Sequence, residues 1–136
     1  MQEIGVVMVT RESELERLLT ELVAVLPEPM WAAIIDDDGL LIACIPHSPA
    51  VSSDTIAAMT VTGTIASKRI TGEIEGGSFR FSAIAGSQRQ LIVVALDKKR
   101  FLSLGFSPQV QTHQIFGPLS EKVPEILKTL KMHFSA

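Results

Sequence analysis

The residues of this chain that could do chemistry are few and scattered. Asp36, Asp37 and Asp38 are consecutive carboxylates, but no calcium-loop pattern with a closing glutamate follows them. They run into Gly39, and Asp-Gly between two apolar runs is the mark of a tight hairpin whose central residues must tolerate positive φ. A solvated turn is therefore their expected role. His47, His113 and His133 lie far apart, and Cys44-x-x-His47 supplies only one pair at ligand spacing, so no metal site is expected. Cys44 sits within an apolar run and reads as a small buried hydrophobe rather than a nucleophile. Gly72, Gly76 and Gly77 have neither the Gly-Lys-Ser/Thr ending of a phosphate loop nor a Gly-x-Gly-x-x-Gly opening a helix. There is no Gly-x-Ser-x-Gly elbow for a hydrolase. The expectation is a non-enzyme: no catalytic residue, no cofactor, and no GTPase activity of its own.

The bulk numbers narrow the class. A chain of 136 residues reads as a single domain over 1–136, with 1–11 as a tail. The formal net charge of −3 argues against nucleic acid as a partner. One cysteine cannot form an internal disulfide, which suits a reducing compartment. No apolar run approaches the roughly 20 residues that span a bilayer. Met1–Val9 lacks the basic start of a signal peptide. Cytoplasmic location without membrane contact is the expectation.

The elements that must position any functional surface follow from periodicity. Ser13 and Glu16 have capping-box spacing, and Leu15, Leu18, Leu19, Leu22, Val25 and Leu26 then repeat with the helical period until Pro27. Residues 30–36 and 40–45 are strands apolar on nearly every residue, so helices should cover both faces. Ser52 and Ser53 are N-cap candidates for a second helix over about 53–68. That helix has no charge between Asp54 and Lys68, and Ala57, Ala58, Gly63 and Ala66 keep its surface small. A helix without a charged face is buried all round or meets another chain. Lys68 and Arg69 are read as its last turn, favourable to the helix dipole or to an acidic partner. Ile70, Gly72 and Ile74 alternate with polar residues and predict a strand over 70–75. Phe79–Ala83 and Leu91–Leu96 complete a meander, with an extra strand near 100–106. Lys98-Lys-Arg100 reads as a solvated basic turn. A last helix is predicted from Leu119 or Ser120, with Pro124 in its first turn and Leu119, Val123, Ile126, Leu127, Leu130 and Phe134 on one face.

Four segments in this order carry a family resemblance: Leu18-Leu-Thr-Glu-Leu22, Ala33-Ile-Ile-Asp-Asp-Asp-Gly-Leu-Leu-Ile-Ala43, Ile56-Ala-Ala-Met59 and Gly72-Glu-Ile-Glu-Gly-Gly77. From roughly Glu12 to Leu96 the chain resembles the Roadblock / dynein light-chain family, in the style of its bacterial regulators of small GTPases. The resemblance implies an α/β fold, in the layered α+β sense. A five-stranded antiparallel sheet would carry the middle helix on one face and the two terminal helices on the other, in the order α-β-β-α-β-β-β-α. Residues 97–118 stand out as an atypical insertion before the last helix.

The resemblance also implies dimers built by pairing middle helices and third strands, acting as adaptors or as platforms for Ras-like small GTPases. Carried onto this chain, the dimer interface would be Ile56, Met59, Thr60, Gly63, Ala66, Ile70, Gly72 and Ile74, with Thr62, Lys68 and Arg69 toward a partner. The expected function is a homodimer, or a heterodimer with a related Roadblock chain, that binds and regulates a Ras-like small GTPase in signalling. The alternative is a PAS- or profilin-like sensory domain holding a small ligand. A large closed apolar pocket beside Phe79 and Phe81 would favour it.

Overall fold

Thr10 starts the first helix. Its hydroxyl accepts from the Ser13 N–H at 3.0 Å, and the Ser13 hydroxyl accepts from the Thr10 N–H at 3.0 Å. The capping box thus lies three residues before the one read from Ser13 and Glu16, and Glu16 instead approaches His47. The computed structural model describes residues 9–132. In chain order its elements are α1 (Arg11–Val25), β1 (Trp31–Asp36), β2 (Leu41–Ile45), α2 (Ser53–Glu73), β3 (Phe81–Ala85), β4 (Gln90–Ala95), β5 (Arg100–Phe106) and α3 (His113–Lys131). The expected roles of residues 1–8, His133 and Phe134 lie outside the described residues.

Two local units build one sheet. The β1–β2 hairpin and the β3–β4–β5 meander join where β5 pairs antiparallel with β1, giving the order β2-β1-β5-β4-β3. Alternation along the strands then divides the core. Ala32, Ile34, Ile92, Leu102, Leu104 and Phe106 face α1 and α3, which contribute Leu15, Leu18, Leu19, Leu22, Ile115, Leu119, Ile126 and Leu130. Trp31, Ala33, Ile35 and Cys44 face α2 through Ile56 and Ala57. Each fully buried Leu or Ile contributes on the order of 1.5–3 kcal/mol. One helix on one face and two on the other is the expected layering.

Three element boundaries differ from the sequence reading. First, Ile70–Glu73 continue α2 rather than forming a strand, and Ile74 is its C-cap. Ile70 and Ile74 are also four residues apart, the spacing of one helix face, and the segment continues the helical bonds of α2. Lys68 and Arg69 are therefore a full turn short of the helix end, and the dipole role read for them does not apply. Second, the residues read as an extra strand near 100–106 are β5, the central strand of the sheet. Together with the start of α3 they make residues 97–118 part of the core architecture rather than an insertion. Third, α3 starts at His113, not Leu119, and holds Pro118 and Pro124 in its interior. Each proline removes one helical hydrogen bond at a cost of about 3 kcal/mol. The burial of Ile115, Leu119, Ile126 and Leu130 offsets that cost.

A buried polar node fixes α2 on the sheet. The Ser103 hydroxyl of β5 accepts from the Trp31 indole N–H at 3.1 Å and from the Thr60 hydroxyl at 3.0 Å. Trp31 is buried and serves as a core aromatic. Its ring lies flat over Gly105, where an added Cβ would fall inside van der Waals contact of the ring. Gly105→Ala is therefore expected to lower unfolding free energy by about 1–3 kcal/mol through overpacking, measured by urea denaturation. Unchanged stability would mean that the ring can move aside.

Candidate functional site at an open sheet edge

The sheet has two edges, and they are covered unequally. β2 is flanked by both α1 and α2, and Ala43 and Cys44 are buried. β3 is left open: Phe81, Ala83, Ile84 and Ala85 are exposed. Hydrogen-bond parity shows what that edge presents. The Ala95 N–H donates to the Arg80 carbonyl at 2.9 Å, and the Gly86 N–H donates to the Arg89 carbonyl at 2.8 Å. In the register that pairs Ser82 with Val93 and Ile84 with Leu91, the bonded residues of β3 alternate. Ser82 and Ile84 point their main-chain groups at β4. Phe81, Ala83 and Ala85 point theirs away from the sheet.

Natural edges usually carry a charge, a proline or a bulge that discourages pairing. Phe-Ser-Ala-Ile-Ala has none of these. Its side chains extend the apolar surface to both faces. Phe81 packs against Phe116 of α3 with ring centroids 4.6 Å apart and the rings tilted by 56°. Ile84 reaches under α2, where its Cδ1 would lie 3.9 Å from a Cβ built on Gly63. The absence of a side chain at Gly63 lets the strand and the helix share one surface.

Along α2 the same flank carries Met59, Gly63, Ala66, Ile70 and Ile74 at helical spacing. Ile70 is 58% exposed, Ile74 69% and Ile84 55%. Isolated exposed hydrophobes are ordinary, but several of them near an unpaired edge make this flank the candidate surface.

The structure sorts the residues singled out from sequence. Met59, Ala66, Ile70, Gly72 and Ile74 are exposed and Gly63 is half-buried. Ile56 and Thr60 are 2% and 0% exposed and face the sheet, so neither is free to touch a second chain. Thr60 belongs to the Ser103 node instead. Thr62 and Arg69 are on the outer surface, whereas Lys68 donates to the Lys98 carbonyl at 3.1 Å and lies 5.0 Å from the Phe101 ring centroid. Sequence reasoning placed a strand at Phe79–Ala83, two residues ahead of β3, but gave the open edge to residues 70–75 instead. The available signal was the uncharged run of β3 between Arg80 and Arg89, set against the charged flanks of the segment read as the third strand.

The other chemical candidates take structural roles. Asp36 Oδ1 accepts from the N–H groups of Asp38 and Leu40, both at 2.9 Å, and Gly39 has φ +88°, as a hairpin turn requires. Cys44 is buried, and burial pushes its thiol pKa up, away from nucleophilic character. Arg100 is no solvated turn residue. Its guanidinium donates to Asp97 at 2.7 and 3.0 Å and to the Leu130 carbonyl near the end of α3 at 3.2 Å. A groove of about 940 Å³ lies beside Phe79 and Phe81 and opens to solvent, unlike the closed pocket that a small-ligand sensor would favour.

Burial opposes ionisation of Asp97, but the Arg100 guanidinium and the N–H groups of Lys99 and Arg100 outweigh it and hold the carboxyl below its ordinary value. A depressed folded pKa stabilises the protein above the unfolded value of about 3.9. Asp97→Asn is therefore expected to be less stable than the native chain at neutral pH. The gap should close as pH falls below about 4 in denaturation series across pH. A gap independent of pH would show that the charge contributes nothing.

Comparisons with known proteins agree with this architecture. The family described as Roadblock/LC7 domain matches residues 15–106. Among solved structures, Myxococcus xanthus MglB superposes with a TM-score of 0.77 at 13% identity, covering 88% of this chain and 96% of that one. A Roadblock/LC7 domain from Streptomyces avermitilis superposes at 0.75 with 17% identity, covering 86% and 98%. A structure described as MglB with tetrameric arrangement superposes at 0.77 with 15% identity, covering 95% and 96%. No curated protein sequence matches the chain. At these identities the superpositions speak for the fold.

Proposed function

The chain belongs to the Roadblock/LC7 domain family, and from that premise we propose that it is a dimeric, non-catalytic module that binds and regulates a Ras-like small GTPase. The observation that carries the dimer is the uncharged open edge of β3 beside the exposed flank of α2. The GTPase follows from what the family resemblance implies. A solved MglB described as a tetrameric arrangement supports self-association within this fold.

The edge has one best way to pair with itself. A two-fold axis at Ala83 sets Phe81 opposite Ala85 of a second copy and Ala83 opposite itself. All three residues with outward main-chain groups then meet outward groups, making six hydrogen bonds by the alternation of an antiparallel ladder. Moving the axis to residue 82 or 84 leaves one of the three without such a partner inside the strand. The same pairing sets large Phe81 against small Ala85, and brings the two α2 flanks of small and aliphatic residues together as a two-fold contact requires. Ser82 falls opposite Ile84 on the α2 face, where the added side chain covers more of the exposed surface.

The joined sheet would give a GTPase a rigid platform, with Thr62 and Arg69 on its outer surface. Regulation then needs differential affinity: the module shifts the switch loops only as far as it prefers one nucleotide state. The chemistry of hydrolysis stays with the GTPase.

Ala83→Pro separates this pairing from folding. The Ala83 N–H faces away from β4, so proline spares the internal ladder. Loss of both reciprocal bonds at the axis, near 1 kcal/mol each, should weaken the dimer about 30-fold in sedimentation equilibrium with folding retained. Pull-downs with a Ras-like small GTPase from the same genome, loaded with GDP or a GTP analogue, test the partner. The expected result is preference for one state by about tenfold or more. A strict monomer that binds neither form contradicts the proposal.

A further inference from the structure

The two helices on the α1 and α3 face do not reach across all five strands. α1 lies over β1 and β2 and α3 packs on α1, while on that face Phe81 of β3 meets Phe116 of α3. The space left between α3 and the β3 end of the sheet is the 940 Å³ groove. It continues around the end of the sheet to the start of the β4–β5 turn.

Its walls and rim differ in character. Phe81, Phe116, Leu119 and Val123 give the floor an apolar surface. Lys68, Arg80 and Lys98 stand on the rim. The one carboxylate in the lining is Asp97, already paired with Arg100. A chain with a net charge of −3 thus gathers cations at one apolar groove with no free carboxylate among the described lining residues, while α1 carries acidic residues at Glu12, Glu14, Glu16 and Glu21. Lys68 is also held in place by the Lys98 carbonyl and the Phe101 ring. The α3 wall adds a main-chain acceptor. Residue 124 is proline, so the carbonyl of Ser120, a residue of the groove lining, cannot take its usual helical hydrogen bond.

We propose that this groove receives a short acidic, amphipathic peptide segment of a partner protein. Its bulky apolar side chains would rest on Phe81, Phe116 and Val123. Its carboxylates would meet Arg80 and Lys98, and a peptide N–H would meet the Ser120 carbonyl. The volume is at the upper end for a small-molecule pocket, and its open side suits a segment of chain that enters and leaves. Cations with no free carboxylate among them select an acidic sequence and disfavour a basic one. The groove and the self-pairing edge share Phe81 but use different parts of it: its ring lines the groove, and its outward main-chain groups, which face away from β4, belong to the edge.

A random twelve-residue peptide library displayed on phage and panned against the intact chain tests the proposal. The expected outcome is enrichment of sequences that combine Asp or Glu with Phe, Leu or Ile. A synthetic copy of an enriched peptide should bind with an affinity that falls as salt rises. Lys98→Glu combined with Arg80→Glu should weaken it about tenfold or more, with the sedimentation profile unchanged. Phe116→Ser, checked for retained folding by circular dichroism, should weaken it comparably. No enrichment, enrichment without acidic bias, or binding indifferent to all three substitutions would overturn it. Capture of the native chain by vesicles of phosphatidylserine and phosphatidylcholine, with no peptide enriched, would assign the groove to a membrane surface and also overturn it.

Discussion

An antiparallel sheet that does not close must end on strands with unpaired main-chain groups, and here one end falls on Phe81–Ala85. The N–H and C=O groups of Phe81, Ala83 and Ala85 face away from β4, and no charge, proline or bulge protects them. Water can satisfy these groups in a lone subunit, so the edge is not costly by itself. It becomes decisive because apolar side chains lie on either side of it, which water does not favour.

The composition of α2 follows from the same constraint. Its inward face is conventional: Ile56 and Ala57 pack on Trp31, and Thr60 bonds Ser103. Its outer flank has no carboxylate between Asp54 and Glu73 and keeps Gly63 despite the helix-propensity cost of about 1 kcal/mol. The absence of a side chain at that position is what lets Ile84 of β3 lie against the helix. Helix and edge strand therefore form one surface rather than two. α3 is anchored elsewhere, through Arg100 to the Leu130 carbonyl and through Lys122 to Glu21 of α1 at 2.5 Å. That placement leaves β3 uncovered on its second face.

Much of this was legible in the residues, and the failures have physical causes. The leucine period of α1, the Asp-Gly hairpin and the doubly buried β1 and β2 are strong local patterns that tertiary contacts reinforce. The layer order followed from those patterns and the family resemblance. The segment over 70–75 failed because Ile70 and Ile74, read as alternating strand positions, are also i and i+4 of one helix face, and α2 runs on through Glu73. β5 was undervalued for the opposite reason: Arg100-Phe-Leu-Ser-Leu-Gly-Phe106 looks irregular until Ser103 is seen to bond Trp31 and Gly105 to seat its ring. α3 extended through two prolines because its burial outweighs their local cost. Of the residues expected at an interface, Met59, Ala66, Ile70, Gly72 and Ile74 are exposed, as the missing charges on α2 suggested. Ile56 and Thr60 are not, and could not be told apart from them, since an uncharged helix does not declare which flank meets its own sheet.

Amide hydrogen exchange across a concentration series probes the edge most directly. If a second copy pairs with β3, the N–H groups of Phe81, Ala83 and Ala85 should exchange rapidly in dilute solution and become protected as concentration rises. Those of Ser82 and Ile84, bonded to β4, should stay protected throughout. If the three outward amides exchange at the same fast rate at every concentration, the edge is not an interface between copies and the account fails at its centre.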